Sequence, residues 1–219
     1  MDIPWNSSDG WDRDTTSGRQ SDNVFYSSTE PAIRLDALLP SDTVTGVAST
    51  VAVRSYLDAM MDLTSRTSQP LALLYIASDS DGSAGSFGAN GARLVGRAMA
   101  RCLRQETRLH DVVGRADDRD DETIPQFFVV CPLMGEAKAA LLAERLRRAM
   151  TTEPIDKNGP SLPISIGVAA LSIDVADSAA LIARAEGAVR NARRAGGARV
   201  WSHSDTLRRI AGMDQDLPE

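Results

Sequence analysis

Residues 162–170 of the chain read Leu-Pro-Ile-Ser-Ile-Gly-Val-Ala-Ala, an apolar run that contains a single glycine. A helical pattern follows at 178–195, and a second short apolar stretch, 198–201, comes after Gly196-Gly197. An apolar run of this length bounded by polar loops is typical of a buried strand. This part of the sequence therefore predicts a strand, a helix and a closing strand.

The same alternation is found nearer the N-terminus. Apolar runs predict three further strands, at 71–76, 112–113 and 126–132, the last two joined by an acidic loop. Helical spacing of apolar residues predicts three further helices, from Ser41-Asp42 to about residue 68, at 92–106 and at 136–150. Alternating strands and helices with one hairpin predict an α/β domain whose sheet is covered by helices.

Composition limits the classes of function. The chain has 219 residues, 42% of them hydrophobic, which is enough for one substantial core, and a net charge of -6. The negative charge argues against nucleic acid as a partner, and no run reaches the roughly 18 apolar residues of a membrane helix. Cys102 and Cys131 fall in apolar stretches and are expected to be free core residues. We therefore expect a cytoplasmic protein without a membrane span.

The two ends of the chain differ in character from its middle. Residues 1–31 are rich in Ser, Asp, Thr, Gly and Asn without any period, which predicts a disordered N-terminal arm. Its aromatic residues, Trp5, Trp11, Phe25 and Tyr26, are either docking anchors or incidental members of a polar tail. We expect a folded domain at 40–204 and a polar C-terminal tail at 205–219.

Four fragments stand in a fixed order along the chain: Asp42-Thr43-Val44-Thr45-Gly46-Val47, Pro70 to Leu74, Ser165-Ile166-Gly167-Val168-Ala169, and Ala185 to Val200. They resemble the D-x-L-T-G-L opening, the strand before D-I-D, the S-I-G-V-A strand and the A-D-x-A-L-Y-x-A-K-x-x-G-R-N-R-V segment of the GGDEF domain. That domain is the diguanylate cyclase module, which joins two GTP molecules into cyclic di-GMP. The resemblance implies a nucleotidyl-cyclase-like α/β fold with a central, mostly antiparallel sheet flanked by helices.

The resemblance also implies that the catalytic positions have changed. The first metal-binding aspartate of the family falls on Ala77, with Asp79 at the second position, and Thr123-Ile124-Pro125-Gln126 stands where G-G-D-E belongs. The aspartate that reads guanine falls on Ala92. Phosphoryl transfer requires carboxylates that hold magnesium and backbone that lies close to the phosphates. We therefore expect a degenerate domain with no cyclase activity, no metal site and no cofactor.

One alternative is an active cyclase in which the acidic insertion 117–122 rebuilds a cation site. Clustered carboxylates without a fixed ligand geometry usually stay hydrated, so a solvated loop is favoured over a metal site. Cyclisation would also require this loop to replace several lost contacts together.

A second motif of the family is present. Arg108 and Asp111 match the R-x-x-D motif that binds cyclic di-GMP ahead of the hairpin, and Arg145 falls at the position of the assisting arginine. A guanidinium can fork onto guanine or phosphate, and a carboxylate accepts hydrogen bonds from the guanine edge. Arg115, an accessory candidate, and Arg193 match basic positions that touch phosphates in the family. The alternative is that Arg108 and Asp111 form a surface pair at a helix end.

These observations lead to an expected function. We expect a catalytically inactive GGDEF domain that binds cyclic di-GMP and signals to an unidentified protein partner, with the N-terminal arm as a candidate docking segment. Whether the ligand drives formation of a homodimer is left open. The alternative is a protein-interaction scaffold that uses the same fold and binds no nucleotide.

Overall fold

The computed structural model describes residues 33–79, 90–118, 124–152 and 162–211. These ranges contain five strands: β1 (Leu71–Ser78), β2 (Val112–Arg115), β3 (Phe127–Pro132), β4 (Ile164–Ala170) and β5 (Val200–Ser202). They also contain a short 3₁₀ helix (Leu35–Leu38) and five α-helices: α1 (Thr50–Thr67), α2 (Gly91–Glu106), α3 (Glu136–Thr152), α4 (Ser178–Arg194) and α5 (His203–Ile210).

The strands form one sheet in the order β2-β3-β1-β4-β5. The pairs β2–β3, β3–β1 and β1–β4 are antiparallel, and only β4–β5 is parallel. Alternate residues of β1 belong to two cores: Leu74 packs with residues of α2 and α3, and Leu73 packs with residues of α1 and α4. Because helices cover both faces, the central strands are largely apolar on both faces rather than alternating between apolar and polar residues. The expected mostly antiparallel sheet flanked by helices is confirmed.

The first helix begins later than the sequence pattern predicts. The Asp42 carboxylate accepts hydrogen bonds from the backbone and hydroxyl of Thr45, at 2.7 and 2.6 Å, and so closes a turn where a helix was expected. The side chain of Ser49 accepts from the Ala52 backbone at 3.2 Å and caps the true start of α1. Side chains of this type favour turns and helix caps because they compete for backbone hydrogen bonds.

The predicted C-terminal tail begins inside a helix that sequence patterning missed. Ser202 and Asp205 form a reciprocal capping box at the start of α5, which has no buried residue. Helix formation here therefore depends on the cap and on contacts such as that of the Trp201 indole with Thr206, at 3.1 Å. The arm (1–31) and residues 212–219 lie outside the described residues.

Two further expectations concern the chain as a whole. Cys102 and Cys131 are both free and buried, as expected. Among the helices that the structure describes, none is both long enough and apolar enough to cross a bilayer.

Candidate functional site

A cavity of about 230 Å³ lies between α3 and the turn that joins α2 to β2. It is lined by seven residues: Arg108, Asp111, Met134, Lys138, Leu141, Leu142 and Arg145. The structure thus brings together the three residues that the sequence predicts as ligand-binding, two from the turn and one from the helix.

The turn 108–111 is closed by two hydrogen bonds. The Arg108 backbone N–H donates to Asp111 Oδ2 at 2.8 Å, and the Asp111 N–H donates to the Arg108 carbonyl at 3.1 Å. This arrangement buries the Asp111 side chain completely while Arg108 remains exposed. The turn follows directly from the end of α2, whose last carbonyls need partners outside the helix.

One carboxylate oxygen of Asp111 is free to accept a hydrogen bond. Oδ1 is buried and receives none from the described residues, and the nitrogen Nε2 of His110 lies 3.9 Å away. Burial raises the pKa of this carboxyl above its ordinary value, although the backbone hydrogen bond and neighbouring positive charges oppose the shift. A buried acceptor without a donor is costly, so a ligand that supplied an N–H would relieve that cost.

The opposite wall of the cavity comes from α3. Nε of Arg145 lies 2.9 Å from a carboxylate oxygen of Glu106, and the same guanidinium donates to the Glu106 carbonyl. Lys138 lies two helical turns before Arg145, which places both cations on one side of α3. Leu141 and Leu142 of the same helix, and Met134 just before it, add apolar surface to the cavity. Cations beside apolar surface suit an anion that carries flat aromatic groups.

The two other basic residues singled out from the sequence lie elsewhere. Arg115 is 6% exposed and pairs with Asp42 at 3.3 Å and with Asp117 at 3.5 Å. Arg193 lies 3.5 Å from Asp79 and also donates to a backbone carbonyl of β1. Neither arginine lines the cavity, and both hold parts of the domain together.

The segment aligned with G-G-D-E packs into the core where the structure describes it. Ile124 is 5% exposed and belongs to the cluster that contains α2, and Pro125 contacts Gly96 of that helix. A Cβ at position 96 would lie 2.6 Å from the Pro125 ring. Gln126 is buried and accepts a hydrogen bond from the Tyr75 hydroxyl.

The aspartate retained at the second metal position is already engaged. The Asp79 carboxylate accepts from the Ala198 backbone N–H at 2.6 Å and faces Gly197, whose φ is +73°. Ala77, at the first position, is buried in β1. Within the described ranges, no three His, Cys, Asp or Glu side chains converge as metal ligands. Most of the acidic insertion 117–122 falls outside those ranges.

Sequence reasoning missed four of the seven cavity residues. Lys138 could have been found from its spacing to Arg145, since residues seven apart share a face of a helix. Met134, Leu141 and Leu142 carry no such signal, because apolar residues at helical spacing also describe an ordinary core.

Comparison with known proteins identifies the family. The model of the family described as "Diguanylate cyclase, GGDEF domain" matches residues 40–199, which is more than half of the chain. No curated protein sequence shows significant similarity to the chain.

Solved structures share the fold. The GGDEF domain of DgcB from Caulobacter crescentus in complex with c-di-GMP superposes with a TM-score of 0.65 at 16% identity, covering 75% of this chain and 95% of that one. The active GGEEF domain of a diguanylate cyclase from Vibrio cholerae gives 0.62 at 19% identity, covering 71% and 96%.

The diguanylate cyclase SiaD from Pseudomonas aeruginosa, in complex with its activator SiaC, gives a TM-score of 0.66 at 22% identity, covering 74% of this chain and 61% of that one. Identities this low report the fold, while the family match rests on the sequence over residues 40–199. The chain therefore belongs to the GGDEF family.

Proposed function

We propose that this chain is a cytoplasmic receptor for cyclic di-GMP that does not synthesise it and that signals to a protein partner. The observation that carries the proposal is the cavity in which Arg108, Arg145 and the buried Asp111 carboxylate meet. In one complex of a fold relative the domain is bound to c-di-GMP, and in another a cyclase is bound to a protein activator.

The chemistry of the cavity matches that of the proposed ligand. Cyclic di-GMP presents two guanines and two phosphodiester anions. A guanidinium such as that of Arg108 forks onto guanine O6 and N7 or onto a phosphate. The unpaired Oδ1 of Asp111 suits the N1–H or amino group of guanine, which no phosphate offers. The apolar side chains of α3 provide surface for a base to lie against.

Three features support a receptor rather than a cyclase. At two of the three aligned metal positions the chain offers Ala77 and Gln126 in place of carboxylates, and Asp79, at the third, is bonded to Ala198. These residues do not fit a magnesium site that needs several free oxygen ligands. Ile124, at a position where the family has a glycine, and Pro125, where it has the aspartate, also fill the space beside α2 with side chains.

We accordingly expect no cyclase activity. Purified protein incubated with GTP and Mg²⁺ should form no cyclic di-GMP above the level of a heated sample, because Ala77 and Gln126 replace carboxylates at aligned metal positions. Liquid chromatography of the products measures this, with the active Vibrio cholerae GGEEF domain as the positive control. A product peak that scales with protein concentration and disappears on heating would contradict the proposal.

Binding of the ligand is the direct test of the proposed function. In isothermal titration calorimetry, cyclic di-GMP should bind with a Kd in the micromolar range or tighter, about -8 kcal/mol or more favourable. GTP at the same concentration should give little heat, since the cavity lining has only one carboxylate, that of Asp111, and so offers no magnesium-triphosphate site. Absence of heat with cyclic di-GMP up to millimolar concentration would overturn the proposed function.

A second candidate is a scaffold that binds no nucleotide. It is favoured by the ion pair between Arg145 and Glu106, which gives the Arg145 guanidinium a partner without a ligand. In this case the domain surface, together with the arm at 1–31, would bind the protein partner. The same titration separates the two functions, because a scaffold gives no heat.

A further inference from the structure

A segment that precedes α1, residues 33–38, is hydrogen-bonded to the turn 108–111. Residues 33–38 contain Arg34, whose side chain is only 16% exposed, and the completely buried Asp36. The backbone N–H of Leu35 donates to the carbonyl of Leu109, the middle of the turn 108–111, at 2.9 Å. This segment is called the brace below.

Arg34 supplies most of the polar contacts of the brace. Its Nη2 donates to the Asp111 carbonyl at 3.1 Å and to the Thr107 hydroxyl at 2.9 Å. Its Nη1 donates to the carbonyls of Arg104 and Thr107, at 2.7 and 3.0 Å. These contacts cap the C-terminal end of α2, where carbonyls have no partner within the helix.

The remaining donor of Arg34 locks its orientation. Nε lies 3.0 Å from one oxygen of Asp36, and Nε of Arg104 lies 2.8 Å from the other. All five N–H groups of the Arg34 guanidinium therefore have acceptors. A lysine at this position has three donors and no planar fork, so it cannot reproduce the set.

We propose that Arg34 is a positioning residue for the ligand cavity and that it couples docking of the brace, residues 33–38, to ligand binding. The proposal rests on the proposed function and adds regulation of the same site. Arg34 lines no part of the cavity. It holds the backbone of the turn whose side chains, Arg108 and Asp111, line it.

The physical reason is preorganisation. A turn that is held from behind loses little conformational freedom when a ligand binds its front, whereas a loosened turn must be ordered at a cost in affinity. Coupling of this kind is reciprocal. If the docked brace increases the affinity for the ligand, bound ligand must stabilise the docked brace by the same free energy. A protein that pulled residues 33–38 away would therefore release the ligand.

Two measurements on the full chain test the coupling. In calorimetry, Arg34→Lys should weaken binding of cyclic di-GMP about tenfold, within the usual range for coupled sites. The matched control is Arg97→Lys, because Arg97 also joins α2 to an earlier carbonyl, that of Val44 at 2.9 Å, without touching the turn. The control should bind within about twofold of wild type.

The second measurement needs no variant that could fail to fold. Hydrogen exchange of the wild-type amides, with and without cyclic di-GMP, should show slower exchange at Leu35 on ligand addition. The remote amide of Leu171, bonded to the Leu71 carbonyl at 2.8 Å, serves as the reference for general stabilisation. A purely structural role of Arg34 would change the melting temperature but would not make Leu35 respond to ligand more than Leu171.

The outcomes separate the two proposals. Wild-type affinity in Arg34→Lys together with equal responses at Leu35 and Leu171 would overturn the coupling and leave the receptor function standing. Failure of wild-type protein to bind cyclic di-GMP would overturn the receptor function and the coupling with it. Weakened binding in Arg34→Lys together with selective protection of Leu35 supports both.

Discussion

Replacement of Arg108 by alanine should weaken the binding of cyclic di-GMP by about 2 to 4 kcal/mol, roughly 30- to 700-fold in Kd. The Arg108 guanidinium is exposed and lines the cavity, and its side chain is bonded to none of the residues that the structure describes. It can therefore meet the ligand without first breaking an internal ion pair. Its loss removes a charge-assisted fork and leaves acceptors on the ligand without donors.

Arg145→Ala should have a smaller effect, about 1 kcal/mol, since its ion pair with Glu106 at 2.9 Å competes with the ligand. The matched control is Arg101→Ala, which removes the same charge from an exposed position on α2 outside the cavity. All three variants should melt within about 2 °C of wild type, because the replaced side chains are exposed. If Arg108→Ala and Arg145→Ala both bind as tightly as wild type, the ligand occupies another place on the domain.

Replacement of Gly167 by alanine should destabilise the domain by about 3 kcal/mol or more. Gly167 lies on β4 between Tyr75 of β1 and Trp201 of β5, at the point where α4 crosses the sheet. A Cβ there would lie 2.1 Å from the Ala185 carbonyl oxygen and 2.7 Å from the Val189 nitrogen. Both atoms are helix backbone, so relief requires the whole of α4 to move off the sheet. Urea denaturation measures the change.

The matched control lies on the same helix. Gly187 has an ordinary helical backbone, and a Cβ added there would meet only the end of the Arg190 side chain, at 3.7 Å. Gly187→Ala should stabilise the protein by about 0.5 to 1 kcal/mol, because glycine in a helix costs backbone entropy. A loss of less than 1 kcal/mol in Gly167→Ala would mean that α4 does not lie against β4 as closely as these distances require.

Much of the fold could be predicted because buried strands and helices have recognisable patterns of apolar residues in the sequence. The run at 162–170 is apolar except for Ser165 since both faces of β4 are covered, and the structure has a strand at Ile164–Ala170. The helix start at Ser41-Asp42 was wrong for an equally local reason. Asp42 and Thr45 form a turn of their own, and apolar periodicity cannot distinguish that turn from the first turn of a helix.

In the candidate site, too, some residues could be identified from the sequence and the role of others only from the structure. Arg108 and Asp111 are three residues apart, so their closeness is dictated by the chain itself, and a motif is enough to identify them. Arg145 was located by family resemblance, and only packing of α3 beside the turn explains why it shares a cavity with them. Arg115 occupies a recognisable position too, yet its partners, Asp42 and Asp117, make it structural.

By itself, the sequence determined the order of the strands and of helices α1 to α4, the covering of the sheet by helices, the family and the motif that contains Arg108 and Asp111. Only the tertiary structure decided the closing of the cavity by α3, the burial of Asp111 and the hold of Arg34 on that turn from 77 residues away. The physical reason is the separation along the chain of the residues that interact. Periodicity and capping involve residues a few positions apart and can be recognised in a short stretch of sequence. A hydrogen bond between distant segments depends on how whole elements pack.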